Sequence, residues 1–215
     1  MKTIAYIILV IVIVIQIGIG YSIKTGGSWI QSILNTSSKS SESRSEVNTA
    51  SQDVLSSPMV PYTKSNLGLS FSYPGVWPIM TKDEDRRLDS SLVDSFGSQD
   101  DRDGFYEGFY VNHFPVPTDG MEGYFNVLRG NLVYQKLHIV SEIDRQIAGL
   151  KGYVWVYEGT VPSVKQNDPE ISTRWILYII EKGNTLYTFE FSDQIQTFDT
   201  NVKKMEELVA SINIK

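Results

Sequence analysis

The chain has 215 residues, of which 41% are hydrophobic and 20% charged, and its formal net charge is −6. It contains no cysteine, which excludes disulfides, thiolate nucleophiles, iron–sulfur clusters, Cys-ligated zinc and lipoprotein anchoring. Residues 1–57 hold four basic and three acidic side chains, whereas residues 58–215 hold 15 basic and 22 acidic ones. An acidic domain without a basic stripe repels phosphate backbones and anionic lipid surfaces, so no nucleic-acid partner is expected.

The amino terminus, "MKTIAYIILVIVIVIQIGIGYSI", carries one charge, Lys2, ahead of an apolar run from Ile4 to Ile23. Twenty helical residues span roughly 30 Å, one hydrocarbon core, and residues 1–24 are therefore expected to form a transmembrane anchor. A cleaved signal peptide is the competing reading, with Gly18-Ile19-Gly20 as its small-x-small site. Its apolar region would normally take about 7–15 residues, so the length of the run favours the uncleaved anchor. Lys2 and the amino terminus favour the cytoplasmic side, and Lys24 opposes them. Both readings place the rest of the chain outside the cytoplasm. The anchor reading makes it a single-pass protein of the cell membrane.

Residues 25–57 are expected to be a linker. Trp29, Ile30, Ile33 and Leu34 suit one apolar face of a short interfacial turn. Residues 36–57 then carry nine serines in 22 positions, with only Val47, Val54 and Leu55 as sizeable apolar groups. Such a stretch buries too little surface to offset its conformational entropy and reads as a flexible tether. Asn35-Thr36-Ser37 fits the glycosylation pattern, a match of only three residues.

Residues 58–215 are long enough for one domain with its own core. In "LGLSFSYPGVWP" (67–78), Leu67, Leu69, Phe71 and Tyr73 alternate with Gly68, Ser70 and Ser72, the period of a half-buried strand. Pro74 cannot continue the ladder, Gly75 permits a turn, and Trp77 is placed to cover the strand's end. This strand is expected to be the first element of the domain. The aromatic stretch 104–114 reads as a second strand. "PTDGMEGYFNVLRGNLVYQKL" reads as a helix, with Asp119 and Glu122 spaced for a capping box and Met121, Tyr124, Phe125, Leu128 and Leu132 on one face. Gly123 and Gly130 each weaken it by about 1 kcal/mol.

Two strands follow, separated by Gly149-Leu150-Lys151-Gly152, and then a polar loop over 161–170. "ISTRWILYIIEKGNTLYTFEFS" is a hairpin turning at Gly183-Asn184. Its first strand carries Trp175, Leu177 and Ile179 on one face and Ile176, Tyr178 and Ile180 on the other, so it is expected to be central and covered on both sides. A last helix carries Phe198, Val202, Met205, Leu208 and Val209, and "SINI" closes the chain as a short strand. The expected fold class is α+β, an antiparallel sheet sandwiched by helices and preceded by one transmembrane helix.

The stretches "NLGLSFSYPGVWPI", "GLKGYVWVYEG", "RWILYIIEKGNTLYTFEFS" and the final helix running into "ASINI" resemble the PsbP/Mog1-type domain over roughly 66–215. The resemblance implies an antiparallel sheet between helices and non-enzymatic roles as extrinsic subunits of membrane complexes, assembly factors or small adaptors. It implies no shared catalytic residues. Leu69 stands where the family usually has Phe, and residues 83–103 read as an acidic insert.

No nucleophile elbow or phosphate-binding glycine loop occurs, and no enzymatic activity is expected. His113 and His138 lie among apolar neighbours without ligand spacing, which favours structural roles. A hydrolase would need two carboxylates in one cleft, and Asp144, Glu158 and Glu190 lie on predicted strands. Residues 83–103 carry eight carboxylates and read as an exposed acidic loop. Asp100, Asp101 and Asp103 are the candidate ligands there for Ca²⁺ or Mn²⁺. The EF-hand register fails, because with Gly104 at position 6, Gln99 falls at position 1 and Tyr110 at position 12. No other cofactor is expected. The expected function is that of a membrane-anchored, extracytoplasmic, non-catalytic binding domain, an accessory or assembly subunit of a membrane protein complex. Its contact surfaces are expected on loops 83–103 and 161–170. Capture of a small molecule or divalent metal at the surface is the alternative, helped by twelve tyrosines and four tryptophans that can line a pocket.

Overall fold

The computed structural model describes residues 54–82, 85, 89–98, 105–163 and 168–215. The predicted anchor, nearly all of the predicted linker and Asp100, Asp101 and Asp103 lie outside the described residues. Among the described residues, no helix is long and apolar enough to cross a membrane.

The elements run β1 (Met59–Lys64), β2 (Leu69–Pro74), β3 (Leu92–Gly97), β4 (Gly108–Pro115), α1 (Gly120–Tyr134), β5 (His138–Ile147), β6 (Leu150–Val161), β7 (Ile171–Lys182), β8 (Thr185–Gln194), α2 (Ile195–Ala210) and β9 (Asn213–Ile214). All strand pairs are antiparallel. A six-stranded sheet has the order β3-β4-β8-β7-β6-β5, and a three-stranded sheet has the order β1-β2-β9. The α+β class and the antiparallel sheet are as expected.

The large sheet separates two cores. On one face, Tyr153, Trp155, Leu177, Ile179 and Leu186 meet Tyr124, Phe125, Leu128 and Leu132 of α1. These four belong to the predicted apolar face, and its fifth member, Met121, is partly buried against the same core. On the other face, Phe109, Val111, Tyr178, Ile180, Phe189 and Phe191 pack against Phe198, Met205, Leu208 and Val209 of α2 and against Leu69 and Phe71 of β2. The second face is thus closed by a helix and the small sheet together, where the sequence suggested a helix alone. β7 runs between β6 and β8 with Tyr178, Ile179 and Ile180 fully buried, as its two-faced apolar pattern requires.

The 67–78 stretch behaves as its chemistry dictates. Leu69 and Phe71 point into the core, and Pro74 ends β2. The chain then turns, with Gly75 N–H donating to Pro58 O at 3.0 Å and Trp77 N–H to Pro74 O at 3.0 Å. Trp77 folds back, wholly buried, onto Phe191 at 5.7 Å and Phe109 at 5.8 Å between ring centroids. The close is complementary: Ile214 of β9 pairs with Leu69, and Lys215 N–H donates to Gly68 O at 3.0 Å.

Four expectations need correction. β2 is not the first strand, because β1 precedes it and pairs with it from Met59↔Pro74 to Lys64↔Leu69. Pro61 argues against a strand by removing a ladder donor, yet β1 lies at the edge of its sheet, where that loss is tolerated. Residues 83–103 are not all acidic loop, since Leu92–Gly97 form β3 with Leu92, Val93 and Phe96 buried. Asp94 enters the interior because the Tyr62 hydroxyl donates to its carboxylate and Lys64 Nζ lies 3.3 Å away. Asp119 makes no side-chain capping bond, so the predicted capping box does not form. Finally, the β5–β6 turn is Ala148-Gly149, with φ of 53° and 74°, and Leu150, Lys151 and Gly152 belong to β6.

Candidate functional site

Two features of the large sheet stand apart from ordinary core and surface. The first is a carboxylate among tyrosines on the α1 face. β8 alternates strictly: Tyr187, Phe189 and Phe191 join the α2 core, and Leu186 joins the α1 core. Thr188 and Glu190 share the parity of Leu186 and therefore its face. Glu190 is half-buried, opposite Tyr110 of β4 and Leu177 of β7. Its carboxylate is hydrogen-bonded to the Tyr157 side chain of β6.

Burial raises the Glu190 carboxyl above the usual glutamate range, and the bond to Tyr157 only partly opposes this. The surrounding phenols respond in the same sense. Tyr110 is pushed up to about 12 by burial, then by the Glu190 charge, then by Asp85. Tyr124, from the first turns of α1, and Tyr157 are also raised, by burial first and by Glu190 second. All three phenols are therefore neutral at pH 7. Trp175 stacks on Tyr157 at 5.5 Å with a 9° interplanar angle. Asn112 of β4 shares the parity of Tyr110, is only 3% exposed, and holds an Oδ1 with no hydrogen-bond partner.

The second feature is β5, which ends the large sheet and pairs only with β6 among the described strands. Val140 (50% exposed) and Ile143 (54%) lie on this open strand, interrupted by a register shift between Ile139 and Ser141. The adjoining end of α1 exposes Val133 (74%) and Tyr134 (85%). Ile143 opposes Val154 and so lies on the α2 face, and charges stand on the same strand. Arg129 of α1 forks onto Glu142 of β5, with its closest contact 2.6 Å, and Arg145 of β5 forks onto Glu206 of α2 at 3.2 and 3.3 Å.

The residues singled out in the sequence do not converge. His113 lies beside Tyr187, with ring centroids 6.1 Å apart. His138 is exposed, with Nε2 3.3 Å from Glu158. Glu158 is held by Arg174, whose guanidinium approaches it at 2.5 Å and Asp199 at 3.0 Å. By strand parity Glu158 lies on the α2 face and Glu190 on the α1 face, so the sheet separates them. Asp144 is three strands from Glu190, roughly 14 Å across the ladder. No carboxylate pair forms from these three. Among the described residues, no group of three or more His, Asp or Glu is placed to hold a metal ion. The tyrosines around Glu190 are therefore the part that sequence reasoning missed. The available signal was a lone carboxylate between Thr188 and Ser192, facing inward next to a strand that is apolar on both sides.

Solved structures share this arrangement. The cyanobacterial PsbP protein (CyanoP) of Synechocystis sp. PCC 6803 matches with a TM-score of 0.54 at 16% identity, covering 81% of this chain and 98% of that one. The fold is of the PsbP/Mog1 type. The Ran-binding protein Mog1p of Saccharomyces cerevisiae matches with a TM-score of 0.51 at 9% identity, covering 74% of this chain and 96% of that one. No protein-family model and no curated protein matches the sequence. At such identities the PsbP/Mog1 likeness is one of backbone architecture alone.

Proposed function

We propose that the chain is a non-catalytic binding domain, carried outside the cytoplasm on its N-terminal apolar segment and acting on a protein partner at the membrane. The observation that carries this reading is the open β5 edge with Val140 and Ile143 exposed on it. An unpaired strand offers a row of backbone donors and acceptors, and soluble proteins normally blunt such an edge with charge. Glu142, Asp144 and Arg145 do stand on β5, but Val140 and Ile143 are exposed among them, which suits addition of a partner strand or a hydrophobic contact. The PsbP/Mog1-type fold supports the reading, since the yeast neighbour of that fold is named for binding Ran. A tether of about 30 residues has an r.m.s. span of roughly 30 Å, enough for the domain to search the membrane surface around its anchor.

The test is crosslinking of the full-length chain in native membranes followed by mass spectrometry, alongside a form lacking residues 1–24 and a V140K/I143K variant. One dominant partner is expected, lost in both altered forms, while the melting temperature of the double variant stays within about 2 °C of the parent. No enriched partner, or a partner indifferent to both changes, rejects the reading.

A further inference from the structure

We propose that the half-buried Glu190 carboxylate, walled by Tyr110, Tyr124 and Tyr157, binds the primary ammonium group of a small organic amine. The site is independent of the β5 edge, and the two features sit on different strands. Three observations converge on a cation with hydrogen-bond donors. Among the described residues no lysine, arginine or histidine pairs with Glu190, and the side chain hydrogen-bonded to it is the Tyr157 phenol. The phenols of Tyr110, Tyr124 and Tyr157 all feel its charge, their oxygens can accept from a donor, and Trp175 stacks on Tyr157 beside them. Asn112 supplies a buried acceptor oxygen that nothing satisfies.

Asn112 opposes Thr188 while Tyr110 opposes Glu190. The Asn112 and Glu190 side chains are therefore diagonal neighbours on one face, about 7–8 Å apart and somewhat closer between their Cβ atoms. An ammonium nitrogen between them is within reach of both. A primary ammonium has three N–H donors. Glu190 keeps lone pairs beyond the one taken by Tyr157, Asn112 Oδ1 is open, and a phenol oxygen can accept the third. The alkyl chain of the amine would lie on the ring of Trp175. A quaternary ammonium has no N–H to give, so it would leave Asn112 unsatisfied and should bind less well.

The experiment titrates the ¹⁵N-labelled full-length chain with n-butylammonium chloride. Tetramethylammonium chloride and sodium chloride at equal ionic strength serve as controls. Saturable amide shifts are expected at Tyr110, Asn112 and Glu190 with n-butylammonium, with affinity at least about tenfold above that for tetramethylammonium. E190Q keeps the shape of the side chain and should lose about tenfold or more in affinity. N112A, an independent variant, should lose a similar factor by removing the second acceptor. Absence of saturable shifts with n-butylammonium overturns the proposal. So does equal affinity for tetramethylammonium, or unchanged affinity in both variants.

Discussion

Glu190 occupies a position where β8 would be more stable with an uncharged side chain. Its folded carboxyl is raised above the ordinary value by burial, so folding favours the protonated form. The sign follows from proton linkage. Below the unfolded glutamate range the group is neutral in both states and costs nothing. As pH rises through the raised folded value the native state must ionise a desolvated group, and stability falls. The groups that face it are the neutral phenols of Tyr110 on β4, Tyr157 on β6 and Tyr124 on α1, with Asp85 acting on Tyr110, so nothing cationic among them offsets that loss. E190Q is accordingly expected to melt about 2–4 °C above the parent at pH 7.5, the shift of ~1 kcal/mol for a domain of this size. The difference should vanish below about pH 4.5. Equal melting temperatures across that pH range in a thermal-denaturation series would remove the argument. A charge held at a cost to stability is the usual mark of a residue kept for binding.

At the scale of elements, α1 is a helix made by its partner surface more than by its own propensity. Gly120 begins it, Gly123 and Gly130 lie inside it, and Asp119 gives no side-chain cap. What holds it is Tyr124, Phe125, Leu128 and Leu132 against the sheet, and Arg129, which lies 5.0 Å over the Trp155 ring while pairing with Glu142. The two interior glycines differ in their surroundings. A Cβ at Gly130 meets nothing within 4 Å, whereas one at Gly123 would fall 2.7 Å from Asp119 Cβ. G130A should therefore stabilise the protein by about 0.5–1 kcal/mol, and G123A should gain less or destabilise. Chemical denaturation midpoints compare them directly. Equal gains would mean that Asp119 moves aside at no cost. The β5–β6 hairpin is locally strained in a similar way, because Ala148 adopts φ 53° where glycine or asparagine is preferred.

For the whole molecule, the ends of the described fold close on each other. Val54 near its start is buried in the same core as Ile212 and Ile214 near its end. Lys182 Nζ, at the β7–β8 hairpin, donates to Ile214 O at 2.5 Å. The small sheet, α2 and the large sheet thus share one core, which couples residues separated by most of the chain. I214A should cost about 3 kcal/mol and lower the melting temperature by about 6–12 °C, in a single transition. Calorimetry that resolved a separate early transition for the small sheet would show that it unfolds on its own.

The sequence by itself determined most of this architecture. Alternating Leu69 and Phe71, the two-faced run Trp175–Ile180, the Gly183-Asn184 turn and the helical faces of α1 and α2 each encode an element within a dozen residues, because side-chain periodicity reports directly which face is buried. β1 and β3 escaped because their legibility depends on neighbours. Pro61 is acceptable only at a sheet edge, and Asp94 is buried only because Tyr62 and Lys64, some thirty positions earlier, come to meet it. The same limit governs the Glu190 site. Tyr110, Tyr124, Tyr157 and Glu190 are spread over 80 residues, and no local pattern relates them. Strand pairing and parity, with α1 docked on that face, bring them together, and the burial that follows shifts all four groups toward their protonated forms.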